Sequence, residues 1–504
     1  VAPGFIESHL HLEGLHLLPA QYAPQFLAHG TTTVITDLHE IANAGGMEGL
    51  RWYLSLIGRI PLDVYVMAPS CVPSSRFELG AGSIGPDELA GLKALPVVKG
   101  LGEVMDIEGV MARRPGVMEK IAVFEGRPID GHAPGLTGEA LDRYMSAGIY
   151  SDHETTGLHE GEEKLKRGMH LFLRQGSVAK DLPTLAGLIR PENLALLSLC
   201  TDDLSSRDLY DSGHLDRLVA YLVGTGISPF VALRLVTTNA ACYFNLNDRN
   251  RLAVGKKADL VVFDDPAAMR VKMTVKNGAV VYRAGDDVHT DGAPAATVCT
   301  PLHVAAFTPE ALRPRAEGSK VRVMGVADGS IITENLSAEA VIKDGRLMPD
   351  ERLDTAYAYT FDRYRAEASF GVGFVAGFSI KNGALGSTYA HDSHNLIIVG
   401  DNIEDIYEVF CTLTACGGGM AACHGGEKAV LPMPHYGIIS GLDAAAFLQK
   451  ETELDRMVRR MGITLKNPFF QMSFLSLPVI PHLRLTTKGL LNVLTSTFVP
   501  VSYD

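Results

Sequence analysis

Five places in this 504-residue chain set metal-ligand or acid–base side chains at the end of an apolar run. His9-Leu10-His11 closes the first run, Glu103 follows 95–101 (LPVVKGL), and Asp130-Gly131-His132 follows 121–124 (IAVF). Ser151-Asp152-His153-Glu154 comes after Ala147-Gly148-Ile149-Tyr150, and Thr201-Asp202-Asp203 after 194–200 (LALLSLC). On a strand, residues i and i+2 share a face, so the imidazoles of His9 and His11 project together. Alone, such a pair has several uses besides metal binding. Four histidines and two carboxylates recurring at successive strand ends are a stronger signal. Mixed imidazole and carboxylate donors suit borderline divalent ions, with no thiolate to force zinc.

Those residues converge only if the strands beneath them do. Runs at 32–36, 62–67, 95–101, 121–124 and 194–200 alternate with helical spacing at 19–29, 46–57, 86–94, 138–147 and 213–225. Strands alternating with helices make parallel βαβ units. Some 240 residues of this pattern match an eight-fold barrel or a doubly wound sheet. In the barrel the C-terminal strand ends form one catalytic face, which is where these residues fall. From Arg251 the runs become short and β-like, 259–263, 271–275 and 279–282, with a hairpin signal at Asn277-Gly278. Residues 283–300 read as a connection and 301–504 as a further globular region, with a helix predicted over 402–416 and a strand over 395–399.

Other patterns fail. His11-Leu12-Glu13 has no P-C-x-x-C partner, and His153-Glu154 lacks the second histidine of H-E-x-x-H. Gly80-Ala81-Gly82-Ser83-Ile84-Gly85 fits G-x-G-x-x-G but has no convincing strand before it. A net charge of −13 argues against nucleic acid as a partner. No apolar run reaches the length of a membrane span. Seven scattered cysteines read as free thiols in a reducing compartment, and the start of the chain shows no secretory signal. A cytoplasmic protein is expected.

The sequence resembles the bacterial adenine deaminases of the metal-dependent amidohydrolase superfamily. The resemblance rests on 3–13 (PGFIESHLHLE), 29–43 (HGTTTVITDLHEIAN), 70–73 (SCVP), 102–105 (GEVM), 131–136 (GHAPGL), 151–154 (SDHE) and 201–203 (TDD). Further matches are 213–216 (GHLD), 258–262 (ADLVV), 390–395 (AHDSHN) and 473–481 (SFLSLPVIP). It implies an α/β fold: a (β/α)8 TIM-type barrel over 1–250, strands of a small β-sandwich over 251–300, and a C-terminal α/β domain over 301–504. The chain begins at the first barrel strand, so the upstream half of the sandwich is expected to be missing. The resemblance also implies two divalent metal ions, manganese or iron(II) ahead of zinc. His9 and His11 would bind one, Glu103 would bridge both, and His132 and His153 would bind the second. Asp202 would complete the ligand set and face a hydroxide that attacks C6 of adenine or a related 6-aminopurine, shuttling its proton to the departing amine. The implied assembly is a homo-oligomer, a dimer, acting on a small-molecule purine.

Among neighbouring polar residues, His39 and Glu40 follow the second strand and so face the catalytic end as substrate contacts. Glu154 beside a ligand, and Glu13 and His16 in the first loop, are weighed against local hydrogen bonding. His391, Asp392, His394 and Asn395 read first as a domain-docking run. The family's Ser-Ser after His-x-His-x-Glu is replaced by Gly14-Leu15-His16, its Asp-Pro-His-Glu by Asp37-Leu38-His39-Glu40, and its Arg-Glu-Gly-Ser by Arg174-Gln175-Gly176-Ser177. No metal ligand is touched, so these departures bear on which purine fits. A cyclic amide or imide hydrolase and a catalytically silent scaffold are the alternatives.

Overall fold

The computed structural model describes residues 1–265, 268–286, 298–367 and 369–504. The chain divides into two compact units. The first comprises Val1–His39, Leu50–Cys71 and the described chain from Ile84 to Asp286; the second comprises Glu40–Gly49, Val72–Ser83 and the described chain from Val298 to Asp504.

Eight parallel strands build the first unit: β1 (Phe5–Leu10), β2 (Thr31–Asp37), β3 (Asp63–Ala68), β4 (Val98–Val104), β5 (Ile129–Gly131), β6 (Ser151–Asp152), β7 (His170–Arg174) and β8 (Leu197–Cys200). They follow one another in the ladders β1–β5 and β6–β8. A parallel bridge between Leu10 and Asp202 joins the last strand to the first, with the Asp202 N–H donating to His9 O at 3.0 Å. Sequential parallel strands that return to their start make a (β/α)8 barrel. All seven residues of β2, TTTVITD, are buried, as expected of a strand covered on both faces. Inside, Ile6, Ile35, Met67, Phe172 and Cys200, one from each of five strands, pack with Ala240, Ala241 and Phe244.

One predicted strand is a helix. Residues 121–124 fall in and just after the last turn of helix Pro115–Val123, and the strand that carries Asp130 is the three-residue β5. The apolar run IAVF lies on a helix whose Ile121 packs inward, whereas β5, IDG, holds too little apolar surface to announce itself.

Three further strands, β9 (Leu260–Phe263), β10 (Val271–Lys276) and β11 (Ala279–Arg283), form an antiparallel sheet with the short strand Ala2–Pro3 at its edge. Asn277 and Gly278 turn the hairpin with φ of 51° and 82°, the left-handed pair a type I′ turn requires. Residues 287–297 of the connection read over 283–300 lie outside the described residues.

The second unit centres on a nine-stranded sheet whose middle strand, Thr355–Phe361, pairs with Phe370–Ala376 on one side and Leu396–Gly400 on the other. Helix Ile403–Cys416 packs Ile403, Ile406, Val409, Phe410 and Leu413 on its apolar face. Asn402 caps its N-terminus by accepting from the Asp405 N–H, and Gly417, at φ 78°, ends it. All seven cysteines are free, and no described helix is long and apolar enough to cross a membrane.

Candidate metal centre

At the C-terminal end of the barrel the strands deliver His9 and His11 from β1, Glu103 from β4, His132 just past β5, His153 just past β6 and Asp202 after β8. Every one is buried. The carboxylate of Glu103 lies at their middle. Its Oε1 is 3.8 Å from His9 Nε2 and 3.3 Å from His11 Nε2, while its Oε2 is 2.7 Å from His132 Nδ1 and 3.4 Å from His153 Nε2. Asp202 Oδ1 completes the first group, 3.4 Å from His9 Nε2 and 3.1 Å from His11 Nε2.

These spacings suit a cation. Donors about 2.0–2.2 Å from one ion stand roughly 3.0–3.5 Å from each other. The groups His9–His11–Glu103 and Glu103–His132–His153 each bring their ligand atoms within 4.8 Å of one another and share Glu103. His9 Nε2, buried, has no hydrogen-bond partner. His11 Nδ1 donates to Asp37 O at 3.1 Å, so the proton sits on Nδ1 and the Nε2 lone pair faces Glu103 and Asp202. A second layer sets the first. The Glu103 N–H donates to Asp37 Oδ2 at 2.9 Å, and Gly102 makes room, since a Cβ there would lie 1.9 Å from that oxygen. Glu7 accepts from the His9 N–H, the Thr201 N–H and the Thr201 hydroxyl, and lies 3.1 Å from His214 Nε2, tying the first strand to the loop that carries Asp202. Asp202 itself sits at φ 56°.

Charge and burial compete throughout. Burial would push the carboxyls of Glu103 and Asp202 up, but the imidazoles facing both of them, and Arg174 beside Asp202, hold them well below the usual carboxylate range. Burial also opposes a proton on His9 and His11. It prevails at His9, reinforced by His153, whereas Asp202 and Glu103 raise His11 well above its ordinary value. His153 is pushed up to about 9: the Glu103 carboxylate outweighs burial. A cation held by these residues would replace those protons.

Of the remaining expected residues, two border this cluster. His39 Nδ1 is 3.6 Å from Glu103 Oε1 and 3.7 Å from Asp37 Oδ1. Glu154 Oε1 is 3.5 Å from His153 Nε2 and 3.9 Å from His132 Nδ1. The described contacts of Glu13, His16 and Glu40 lie elsewhere. Glu13 lies in the one-turn 3-10 helix Leu12–Leu15, where its charge acts on the Tyr22–Tyr53 hydroxyl pair. His16 caps that turn at φ 56°, its N–H donating to Glu13 O; Gly14 and Leu15 are buried with it. Glu40 belongs to the second unit, where His391 Nδ1 is 2.7 Å from one carboxylate oxygen and His394 Nε2 is 2.5 Å from the other. The Tyr389 hydroxyl lies 3.2 Å from Glu40 Oε1, and His391 stacks on Phe474 at 4.5 Å. So two histidines of the polar run at 391–395 grip a buried carboxylate.

Arg174, read above only as part of a divergent motif, is a site residue that sequence reasoning missed. Its guanidinium is buried, donates to both oxygens of Glu154, to Asp202 Oδ2 at 2.9 Å and to Asp181 Oδ2 at 3.0 Å. The signal was available: it ends β7 as the ligands end or follow their strands.

Comparison with known proteins bears on this centre. The model described as "Amidohydrolase family" matches residues 1–281, and that described as "Adenine deaminase C-terminal domain" matches residues 330–497. The chain is 37% identical over 506 residues to "Adenine deaminase 2" of Carboxydothermus hydrogenoformans, spanning 100% of this chain and 89% of that protein. It is 37% identical over 494 residues to "Adenine deaminase" of Cereibacter sphaeroides (98% and 87%), and 39% over 501 residues to that of Methanoculleus marisnigri (99% and 94%).

Proposed function

Since the chain belongs to the amidohydrolase family and, within it, to the adenine deaminases, it is a metal-dependent hydrolase of C–N bonds, and we propose that the cluster around Glu103 is where it deaminates adenine. The observation that carries this assignment is the shared carboxylate: each oxygen of Glu103 faces a different pair of imidazoles. In this reading His9, His11 and Glu103 hold one divalent ion and Glu103, His132 and His153 a second, manganese or iron(II) by donor type. Bound there, the ions lower the pKa of water so that a nucleophile exists at neutral pH.

The chain's own groups do the rest. As water adds to C6, N1 gains a proton and Asp202 takes one proton of the water and returns it to the amino nitrogen, which leaves as ammonia; loss of the remaining oxygen-bound proton, which balances the one gained at N1, leaves a 6-oxopurine. Arg174 holds Asp202 and Glu154 in place, so the shuttle carboxylate cannot rotate away between the two transfers. His39, beside Glu103 Oε1, and Glu154, beside His132 and His153, contact the purine: the imidazole offers a donor for the ring and the carboxylate an acceptor. Glu40 acts from its place next to His39 in the chain, with His391 and His394 fixing its orientation. Glu13 and His16 support the first loop, and Gly14-Leu15 beside them offer no hydroxyl donor, which favours an apolar substituent on the purine. The protein works in the cytoplasm as a homodimer on a free purine.

The test is a substrate panel on manganese- or iron-loaded protein, with metal analysis and ammonia release. Two ions per chain and ammonia from adenine or an alkylated adenine are expected. Ring opening of a cyclic imide without ammonia would overturn the assignment, as would protein that binds no metal and turns nothing over.

A further inference from the structure

The barrel has a seam. Backbone ladders run through β1–β5 and through β6–β8, and Leu10 bridges to Asp202, but β5 and β6 share no ladder among the described residues. These are the strands that carry His132 and His153. They are nevertheless close: a Cβ on Gly131 would lie 2.3 Å from Ser151 O. Side chains take over the bonding. The Gly131 N–H donates to Ser151 Oγ at 3.3 Å, and Ser151 Oγ donates to Asp130 Oδ1 at 2.9 Å. One residue further along, the Ala133 N–H donates to Asp152 Oδ1 at 2.8 Å, and the carbonyl of Ala133 accepts from Lys164 Nζ at 2.7 Å.

Lys164 comes from helix Leu158–Lys166 and is fully buried. A buried ammonium is costly unless its partners are charged or strongly accepting. Here it meets Asp152 Oδ2 at 3.0 Å, Glu160 Oε1 at 2.6 Å and Thr155 Oγ1 at 3.0 Å besides the Ala133 carbonyl. Asp152 is filled in turn, accepting from Thr155 Oγ1 at 2.6 Å as well. The ammonium thus ties the residue after one imidazole to the residue before the other.

We propose that Lys164 is a positioning residue of the metal centre: with Asp152 it replaces the backbone ladder missing between β5 and β6 and so sets the separation of His132 from His153 without touching either. This rests on the ligand set proposed above. A guanidinium could not serve, because its planar fork cannot gather acceptors around one nitrogen as an ammonium does. The consequence is selective. Loosening the seam disturbs the His132–His153 pair and leaves His9 and His11, whose strand is laddered to β2 and bridged to Asp202, as they were.

The experiment titrates manganese against a competing chelator in wild type, Lys164→Met, the double change Lys164→Met with Asp152→Asn, and Arg249→Met. The double change removes both buried charges together, so it reports on the seam even if Lys164→Met alone does not fold. Arg249 is a buried cation bound to Asp63, Asp248 and Thr33, remote from the ligands, and controls for general loss of stability. Wild type and Arg249→Met are expected to hold two ions. The seam variants are expected to hold one as tightly as wild type and the other about 10- to 100-fold more weakly, with turnover recovered at excess manganese. Seam variants that keep both ions at wild-type affinity, or lose both equally, would overturn the inference alone. Wild type that holds fewer than two ions would overturn the two-ion reading and this inference with it.

Discussion

The two ends of the barrel each gather charged side chains and treat them in opposite ways. At the N-terminal end, Asp63 accepts from Arg249 at 2.5 Å, from Lys257 at 2.9 Å and from Lys276 at 2.8 Å, while Asp259 takes Lys276 and Asp248 takes Arg249. Three acids meet three bases, and the cluster is complete. At the C-terminal end, Glu103, Asp202, Glu154 and Asp37 face imidazoles and the guanidinium of Arg174. There the donor atoms point at common centres rather than at one another. Closed charge holds strands together; uncompensated carboxylate charge collected at strand ends is a receptacle for cations.

The strongest way to break this contrast is at its hub. Glu103→Gln should abolish turnover and leave less than one tightly held metal ion per chain, measured by metal analysis and ammonia release. Retention of two ions would show that the carboxylate is not shared.

Next, Arg174→Met strands the buried carboxylates of Glu154 and Asp202 and should lower stability by about 3–5 kcal/mol in denaturant titration, whereas Arg249→Met, which leaves Asp63 with two lysines and Asp248 exposed, should cost less. Only the first should also lower kcat, since only Arg174 touches Asp202 and Glu154. Equal kcat values for the two variants would dissolve the distinction between the two ends.

Asp202→Asn keeps the side chain's shape and removes its proton-accepting power. At least about a 100-fold fall in kcat is expected, equivalent to about 2.7 kcal/mol, with metal content retained. Near-wild-type turnover would move the shuttle to Glu154 or His39.

A last test sharpens the comparison with a carboxyl that forms no ion pair among the described residues. Glu78, in the second unit, is buried and accepts from the Thr487 hydroxyl, the Thr487 N–H and the Leu79 N–H. Burial pushes it up to about 7 despite those donors. Its folded value exceeds the unfolded one, so the stability it contributes is present in full below about pH 4.5 and is lost as pH rises through 7, at most about 3 kcal/mol in all. Glu78→Gln should flatten that part of the stability profile. An unchanged slope between pH 4.5 and 7 would place the titration elsewhere.

How much of this could be read beforehand follows from the range of the interactions. Glu103 and the five residues around it were legible because each ends or follows a strand, a local pattern, and barrel closure brings strand ends together without further information. Arg174 obeys the same rule but was passed over, because a guanidinium is not a ligand type. The fifth strand was misplaced because IDG offers no apolar run while IAVF, a helix end, does. The seam at Lys164 and the partners of Glu40 were out of reach. They depend on which side chains meet across many intervening residues, and neither period nor propensity encodes that.

That last contact has a consequence in time. Glu40 and Tyr389 are 349 residues apart in the chain, and the histidines that hold Glu40 lie equally far downstream. At about 5–20 residues per second, a ribosome emits Glu40 roughly 17–70 s before the residues that receive its charge. Until then the segment Glu40–Gly49 has no unit to join, although the strand just before it can already pair with β1 and β3. Nascent chains halted short of residue 390 should therefore expose this segment to protease while β1–β4 are protected.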